Sequence, residues 1–443
     1  MSIIRAGAVQ VDITPRSPQF LYGYPHVPRV STGVHDPLLS TALCLDDGAT
    51  ATMFIANDLI FVPREIAERV RARLAELTGI PAGHIMVTAT HTHSGPVTVR
   101  YLSNEADPVV PGPDPAYLQQ AEQGMIDAGR RAWESRQPGE IGLVIADGAA
   151  VGTNRRDPSG PRDAQVPVLL ARTADTHQFI AAMMVCSMHP TVLHEDSTLI
   201  SGDFPAMARQ YMQQHLLGRD CPIVYHTGAA GNQSPRHVTR GNTFAEAERL
   251  GWALGDAIVR AATQAEYQRK LRISCARELL ADLPIGRFPS PAEAAVKLRQ
   301  AAESMENLQR TGAARAALRT AECDVFGAEE TLTLARAAAE GRLLPVAKHC
   351  LPAEVQVIGI GPWSFVGWPG EVFVEFAQAV RAHSPHTYVI TLANGELQGY
   401  VVTAHAAAEG GYEAANALFK NPDTGDRLVD ATLRLLGTMS HAR

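Results

Sequence analysis

The sequence predicts an α/β protein in which layered mixed β-sheets are flanked by helices. Short apolar runs bounded by turn residues alternate along the chain with amphipathic segments of helical spacing, a pattern typical of α/β layering. The 443 residues include 46% hydrophobic and 19% charged side chains, which is ordinary for a globular protein with a large core. We therefore expect one domain over residues 1–443.

The elements are predicted from these patterns in chain order. Residues 1–60 are expected to be rich in strands, with runs at 9–13 and 51–55, and residues 94–115 to form a long polar loop. Helices are predicted over 64–78 (ending at Gly79), 116–135, 204–217, 245–264 and 424–436. Further strands are predicted over 84–90, 166–172, 180–187, 223–226, 354–360, 363–368 and 387–392.

Residues 291–340 differ in character from the rest of the chain. They are rich in Ala, Glu, Arg and Leu with helical periodicity, and the pattern is interrupted near 311–312 and again near 326–327. We interpret this segment as a helical hairpin that packs against the main body.

Composition excludes several classes of function. The net charge of −7, without basic blocks, argues against nucleic-acid binding, and no apolar run is long enough for stable membrane insertion. The N-terminal residues read as a strand rather than a signal peptide, and the six cysteines lack metal-site spacing and read as reduced thiols. These observations predict a cytoplasmic protein, and a homo-oligomer remains possible.

Residues able to bind a metal recur where predicted strands end. The segment 88–96 contains His91 and His93, which we expect to point in different directions and to have different roles. His189 follows a buried strand, and Glu371 follows Trp-Pro-Gly. Each has a structural alternative: a hydrogen-bonded histidine, or for Glu371 a carboxylate in the first turn of a helix. The Gly-rich turn at 227–235 could offer N–H groups to an anion or simply connect a strand to a helix.

The order of these motifs resembles the neutral/alkaline (non-lysosomal) ceramidase family, over its N-terminal catalytic domain. The motifs are Thr-His-Thr-His-Ser-Gly-Pro, Asn-Arg-Arg at 154–156, Met-His-Pro-Thr followed by Ser-Gly-Asp, Ala-Gly-Asn-Gln-Ser-Pro, Pro-Gly-Glu, and Tyr400 with Tyr412 twelve residues later. The resemblance extends from about residue 5 to 420. It implies four metal ligands, His91, His189, Glu371 and Tyr400, and three catalytic residues, His93, Arg155 and Tyr412. Ser234 matches a family serine near the site, and its role stays open.

The resemblance implies a Zn²⁺-dependent hydrolase that cleaves an amide (N-acyl) bond of a small molecule, with His93 as the proton carrier. Where the family has glycines after Ser-Gly-Pro, this chain has residues 97–100, and it also departs at 394–396. We expect both stretches near the substrate, which favours a soluble amide over membrane ceramide. We also expect no C-terminal β-sandwich domain. An esterase or lactonase of the same fold, a non-catalytic metal-binding protein, and a different divalent metal remain alternatives.

Overall fold

The computed structural model describes residues 2–441, except for the side chains of residues 315, 316, 440 and 441. The domain predicted over 1–443 thus includes positions 1, 442 and 443, which lie outside the described residues. The strands are β1 Arg5–Asp12, β2 Gly33–Val34, β3 Leu39–Asp46, β4 Ala51–Asn57, β5 Ile85–Ala89, β6 Gln137–Asp147, β7 Thr153–Asn154, β8 Gln165–Thr173, β9 Phe179–Cys186, β10 Leu199–Ile200, β11 Ile223–Thr227, β12 Gln233–Ser234, β13 Ile273–Leu280, β14 Ala353–Ile360, β15 Trp363–Gly367, β16 Glu371–Val372, β17 Thr387–Ile390 and β18 Tyr400–Val401.

The helices are α1 Arg64–Thr78, α2 Pro115–Glu134, α3 Asp203–Met212, α4 Phe244–Ala262, α5 Pro291–Arg310, α6 Arg315–Ala339, α7 Leu343–Cys350, α8 Val374–His383, α9 Ala404–Glu409, α10 Tyr412–Ala415 and α11 Asp423–His441. Short 3₁₀ turns lie at Ala82–His84, Leu102–Asn104 and Pro235–His237, and a π-helical turn at Gln213–Leu217 extends α3. Among the described residues, no helix combines the length and apolar character that crossing a bilayer requires.

Two large β-sheets pack face to face, and helices cover their outer faces. Within the described residues the larger sheet has the strand order β11-β9-β8-β6-β1-β3-β4-β5, and the smaller has β13-β14-β15-β17. Side chains alternate between the faces of a strand. Leu43 and Phe54 accordingly face the smaller sheet, whereas Cys44 and Met53 face α1 and α2. The predicted α/β fold with layered mixed sheets is confirmed.

The carboxyl ends of several strands meet at one edge, and this edge holds the site. β5 runs parallel to β4, β11 to β9, and β17 to β15, so each pair ends on the same side. The loops that follow are joined to one another. The Thr227 hydroxyl donates to the Thr90 carbonyl over 2.7 Å, and the Thr391 N–H donates to the Thr227 carbonyl over 2.8 Å. Ligand sites in α/β proteins commonly lie at such ends.

The predicted elements agree with the observed ones except in a few regions. The strand predicted at 9–13 is displaced toward the N-terminus, since β1 begins at Arg5. The strands β3, β6 and β13 have no counterpart in the prediction beyond the expected β-rich character of residues 1–60. The loop at 94–115 is irregular but not polar throughout, because Val97, Val99 and Tyr101 are buried in the core beneath it.

The helical hairpin predicted at 291–340 is present, but the prediction of a second break near 326–327 is wrong. The chain turns at Thr311 and Gly312 between α5 and α6, whereas α6 continues through Phe326 and Gly327. Gly327 has a packing role instead of ending the helix. A Cβ atom there would lie 3.0 Å from the Ala415 Cβ and 3.3 Å from the Tyr412 Cα. The missing side chain therefore lets α10, which begins at Tyr412, pack closely on α6.

Candidate active site

Three histidine side chains of the described residues, buried His91 and His189 and partly buried His93, converge below a cavity. Each ring has its Nδ1 atom beside a backbone carbonyl. The distances are 2.9 Å from His91 to Ile60, 3.1 Å from His93 to Gly23, and 2.6 Å from His189 to Ala230. A carbonyl oxygen only accepts a hydrogen bond, so each Nδ1 must carry the proton. In the neutral rings, each Nε2 then presents a lone pair.

These Nε2 lone pairs are directed at one another and at the Glu371 carboxylate. Glu371 Oε2 lies 2.9 Å from His189 Nε2 and 3.2 Å from His91 Nε2, and His91 Nε2 lies 3.3 Å from His93 Nε2. Lone pairs and a carboxylate repel one another unless a cation lies between them. The three histidines offer ligand atoms within 4.8 Å of one another and could hold a metal ion. We call His91, His93, His189 and Glu371 the histidine floor.

The prediction that His91 and His93 point in different directions is wrong. The Nε2 atoms of the two rings lie 3.3 Å apart, so the rings converge. His91 also has a backbone φ of +69°, a value that few residues other than glycine adopt readily. This conformation turns the backbone just after β5. The histidine floor therefore includes both rings.

Burial keeps two of these rings neutral. It lowers the pKa of His189 to about 4, with a further contribution from Arg155. The pKa of His93 lies well below its ordinary value for the same main reason, with His91 and His189 adding repulsion. Burial raises the pKa of Glu371, and positive charge or hydrogen-bond donation at the positions of the His91 and His189 rings lowers it well below its ordinary value, so the ionised carboxylate needs a positive group at the floor. At neutral pH the floor thus offers neutral imidazoles and a carboxylate.

Tyr400 and Tyr412 stand beside the floor, as the family resemblance implies. Their ring centroids are 6.0 Å apart, and the Tyr400 ring is 6.4 Å from that of His189. The register of β16 with β18 explains part of this arrangement, because it pairs Glu371 directly with Tyr400. Residues 29 positions apart in the chain are thereby brought together in the site.

Arg155 is held beside Tyr400 by Glu413 and keeps one donor free. Its Nε atom donates to Glu413 over 2.8 Å, and its guanidinium lies 5.2 Å from the centre of the Tyr400 ring. Arg156 donates to the other Glu413 oxygen over 2.9 Å. Buried Arg155 Nη2 has no hydrogen-bond partner among the described residues. A buried unpaired donor is costly, so this atom is available for an acceptor that arrives in the cavity.

Two adjoining cavities reach the site. The outer one, the catalytic cavity, has a volume of about 390 Å³, and its lining includes His93, Arg155, Ser234, Tyr400 and Tyr412. A smaller inner chamber of about 50 Å³ is lined by residues that include His91, His93, Glu371, Tyr101 and Asn104.

One side of the catalytic cavity is formed by α6, and we call its lining residues the helical wall: Arg319, Thr320, Cys323, Asp324 and Phe326.

Several site predictions change once the contacts are known. Residues 97–100 and 394–396 do not line the catalytic cavity or the inner chamber, as far as the described residues go. Val97 packs in the core, and Asn394 accepts from the Val87 N–H, so their position near the substrate is a wrong prediction. Glu371 is not in the first turn of a helix, because it lies in β16 and α8 begins at Val374.

The Gly-rich turn at 227–235 orients His189 rather than offering N–H groups to an anion. The carbonyls of Ala230 and Gln233 lie 2.6 and 3.1 Å from His189 Nδ1. The Gly231 N–H donates to the Val372 carbonyl next to Glu371. The Ser234 hydroxyl lines the catalytic cavity and also accepts from the Arg236 N–H over 3.3 Å, which caps the following 3₁₀ turn.

Sequence reasoning assigned no role to Gly23 or Glu413. Gly23 has a φ of +122°, and a Cβ atom there would lie 2.3 Å from His93 Nδ1, so a side chain would displace this ring. The Tyr-Gly-Tyr-Pro turn around Gly23 is a local signal for a special backbone position. Glu413 lies beside a predicted catalytic residue, but its partners come from a loop about 260 residues earlier, which no local pattern reveals.

A buried set of imidazoles and a carboxylate beneath a cavity defines the chain as a candidate metallohydrolase. The comparisons give the family: the chain belongs to the neutral/alkaline non-lysosomal ceramidases, whose N-terminal sequence profile matches residues 5–235, more than half of the chain. The resemblance inferred from the motifs is thereby confirmed, and membership supports a hydrolase that acts on an amide bond.

Individual relatives are distant in sequence. A neutral ceramidase of Mycobacterium tuberculosis (strain ATCC 25618 / H37Rv) is 24% identical over 218 residues, a match that spans 45% of this chain and 34% of that relative. The structure of neutral ceramidase from Pseudomonas aeruginosa aligns with a TM-score of 0.73 at 19% identity, covering 98% of this chain and 75% of that one. A ceramidase complexed with C2 aligns with a TM-score of 0.75 at 18% identity, over 100% of this chain and 76% of that one. These structures share the fold.

Proposed function

We propose that this protein is a zinc-dependent hydrolase that cleaves the amide (N-acyl) bond of a small molecule. The observation that carries the proposal is the histidine floor, where Nδ1 atoms are fixed by carbonyls and Nε2 lone pairs face a buried carboxylate. Carbonyl acceptors behind metal-binding histidines are typical of metal sites because they fix the tautomer. Two imidazoles and a carboxylate are a common catalytic zinc shell.

The proposed ligands are His91, His189 and Glu371, with Tyr400 as an additional oxygen ligand. The first three have side chains that are at most 7% exposed, and both histidine Nε2 atoms lie within hydrogen-bonding distance of Glu371 Oε2. Tyr400 is paired with Glu371 in the β16–β18 register, which supports its inclusion. Zinc, when bound, supplies Lewis-acid activation of water and of a carbonyl near neutral pH.

His93 is the proposed proton carrier. Its Nδ1–H donates to the Gly23 carbonyl, so Nε2 is the atom that can accept a proton from the attacking water. The same atom can return that proton to the departing amine nitrogen. The low pKa of the buried His93 ring favours release of the proton once the leaving group needs it.

Arg155 and Tyr412 are the proposed donors to the substrate carbonyl. Arg155 Nη2 is buried and unpaired among the described residues, and its charge is held in place by Glu413. Burial raises the pKa of Tyr412 well above its ordinary value, so its hydroxyl keeps the proton that it would donate. Donors fixed in advance where negative charge develops stabilise the transition state.

A soluble substrate, rather than membrane ceramide, is favoured by the lining of the catalytic cavity. Although much of the lining surface is apolar, eight charged side chains of both signs also line the cavity: Arg155, Arg156, Arg236 and Arg319 with Asp157, Asp324, Glu409 and Glu413. A long acyl chain would have to leave apolar surface against these groups. We also propose a cytoplasmic location, because the six cysteines all lie in the described range and are free, as in a reducing compartment.

Metal analysis combined with substrate panels tests the proposal. We expect near-stoichiometric zinc on the purified protein, turnover of soluble N-acyl compounds, loss of turnover on chelation, and recovery when zinc is restored. Absence of bound metal, or turnover that survives chelation, would contradict the proposal. Turnover of esters without amides would establish the esterase alternative, and bound zinc without turnover of either panel would indicate a metal-binding protein.

A further inference from the structure

Arg236 lies in the lining of the catalytic cavity, at its junction with a neighbouring cavity. It lies in the 3₁₀ turn Pro235–His237 and is half-buried. It lines the catalytic cavity and also a second cavity of about 490 Å³, the side cavity. The two cavities share Thr191, His194, Arg236 and Arg319, so Arg236 lies at their junction.

The other arginines of this lining are neutralised by carboxylates. Arg155 and Arg156 donate to the two oxygens of Glu413 over 2.8 and 2.9 Å. Arg319 donates to Glu322 over 2.5 Å and to Glu195 over 3.3 Å. In each case the guanidinium is already paired with a carboxylate of the protein.

Arg236 has no such partner in the part of the chain that the structure describes. Its Nη2 atom donates to the Thr320 hydroxyl over 2.9 Å, and no ion pair involves it. Asp324 lines the same cavity, and burial and Glu413 raise the pKa of this carboxyl more than the charge of Arg236 lowers it, but no salt bridge joins the two side chains. A guanidinium has five N–H donors in a fixed fork that matches a carboxylate. Most of this fork is therefore available to a ligand in the cavity.

We propose that the substrate carries an anionic oxygen group, such as a carboxylate, which Arg236 binds while the scissile carbonyl lies at Arg155. This inference rests on the proposed amide hydrolysis and narrows its substrate class to N-acyl compounds with an acidic group. Both arginines line one cavity, so a single small molecule can contact both. A half-buried guanidinium without a carboxylate discriminates strongly between an anion and its neutral isostere, because charge-assisted hydrogen bonds are the strong ones.

Matched substrates that differ in one group test this proposal. The zinc-loaded protein is assayed with N-acylglycines and with the corresponding N-acylglycinamides, which replace the carboxylate by a neutral amide. We expect kcat/KM to favour the carboxylates by at least about tenfold. The ratio should fall toward one in Arg236→Gln and be partly retained in Arg236→Lys. Arg219→Gln, an exposed charge-matched control away from the cavities, should keep the wild-type ratio.

The outcomes separate this inference from the proposed function. Turnover of both substrate series at equal kcat/KM would retain amide hydrolysis and overturn the role of Arg236. If neither series is turned over, calorimetric titration of an N-acylglycine into wild type and Arg236→Gln still tests whether Arg236 binds the anionic group. Binding that is weakened at least about tenfold by the substitution would support the anion site, and equal or undetectable binding would overturn it. Thermal unfolding of each variant shows whether the fold is intact.

Discussion

The histidine floor and the helical wall face the same cavity but are built differently. The floor consists of side chains that follow strands, buried except for partly buried His93, and backbone carbonyls of other segments set the orientation of its histidines. The wall consists of side chains on one helix, α6, several of them charged and partly exposed. Substitutions in the floor would therefore disturb the contacts that orient it, whereas substitutions in the wall leave the sheets undisturbed. The proposed metal ligands and proton carrier belong to the floor, whereas Arg236, the proposed substrate-binding residue, donates to Thr320 of the wall.

The strongest test of this comparison lies within the floor. His91→Ala should lose the metal and therefore all turnover that depends on it, whereas His93→Ala should retain the metal and lose turnover by at least about 10²-fold. The physical reason is that the proposed shell of His91, His189 and Glu371 remains complete without His93. Metal content and kcat of both variants, measured together, check the prediction. Equal loss of metal in the two variants would make His93 a ligand instead of the proton carrier.

The next largest effect on turnover is expected at Arg155, which lies in the lining of the catalytic cavity. Arg155→Met should lower kcat by about 10²-fold or more, because it removes the unpaired Nη2 atom that is the proposed donor to the substrate carbonyl. Arg156→Met is the matched control: Arg156 pairs with the same Glu413 and lines the same cavity. We expect its loss to stay below about tenfold, since its role is to hold Glu413. Equal losses would show that both arginines act through Glu413 and not on the carbonyl.

The smallest effect concerns the stability of the protein, which should change with pH because of Glu330 on α6. Burial raises the pKa of Glu330 from 4.5 to about 8. The folded protein thus favours the protonated carboxyl, a contribution that is complete below the unfolded pKa and is lost as the pH rises through about 8. Glu330→Gln stays neutral, so its stability relative to wild type should increase from pH 5 to pH 9 by an amount on the order of 3 kcal/mol.

Urea unfolding at several pH values measures this difference for Glu330→Gln. Glu303→Gln, at an exposed position of α5, is the control and should follow the wild type at every pH. A constant difference between Glu330→Gln and wild type would contradict a protonated Glu330. It would also remove the contrast between a neutral buried acid on α6, the helix that carries the wall, and the ionised acid of the floor.

The sequence determined which residue types carry the chemistry and most of the elements that present them. Hydrophobic periodicity is local, so the strands before His91 and His189 and the helices α1, α2 and α4 are predictable from it. The family motifs marked His91, His93, Arg155, His189, Glu371, Tyr400 and Tyr412, and the structure gathers all seven around one site. These motifs could be recognised because each consists of short runs or a fixed spacing along the chain.

The tertiary structure decided how these residues face one another. The Gly23 carbonyl behind His93 and the pairing of Arg155 with Glu413 join segments distant in the chain, whereas the shared direction of His91 and His93 depends on the local backbone turn at His91. A sequence pattern reports the local preference of a segment, whereas these contacts depend on the packing of several segments at once. For the same reason, Val97 is a core residue and Arg236 a free cation in the lining of the cavity, within the residues described. The substrate preference proposed here follows from that packing.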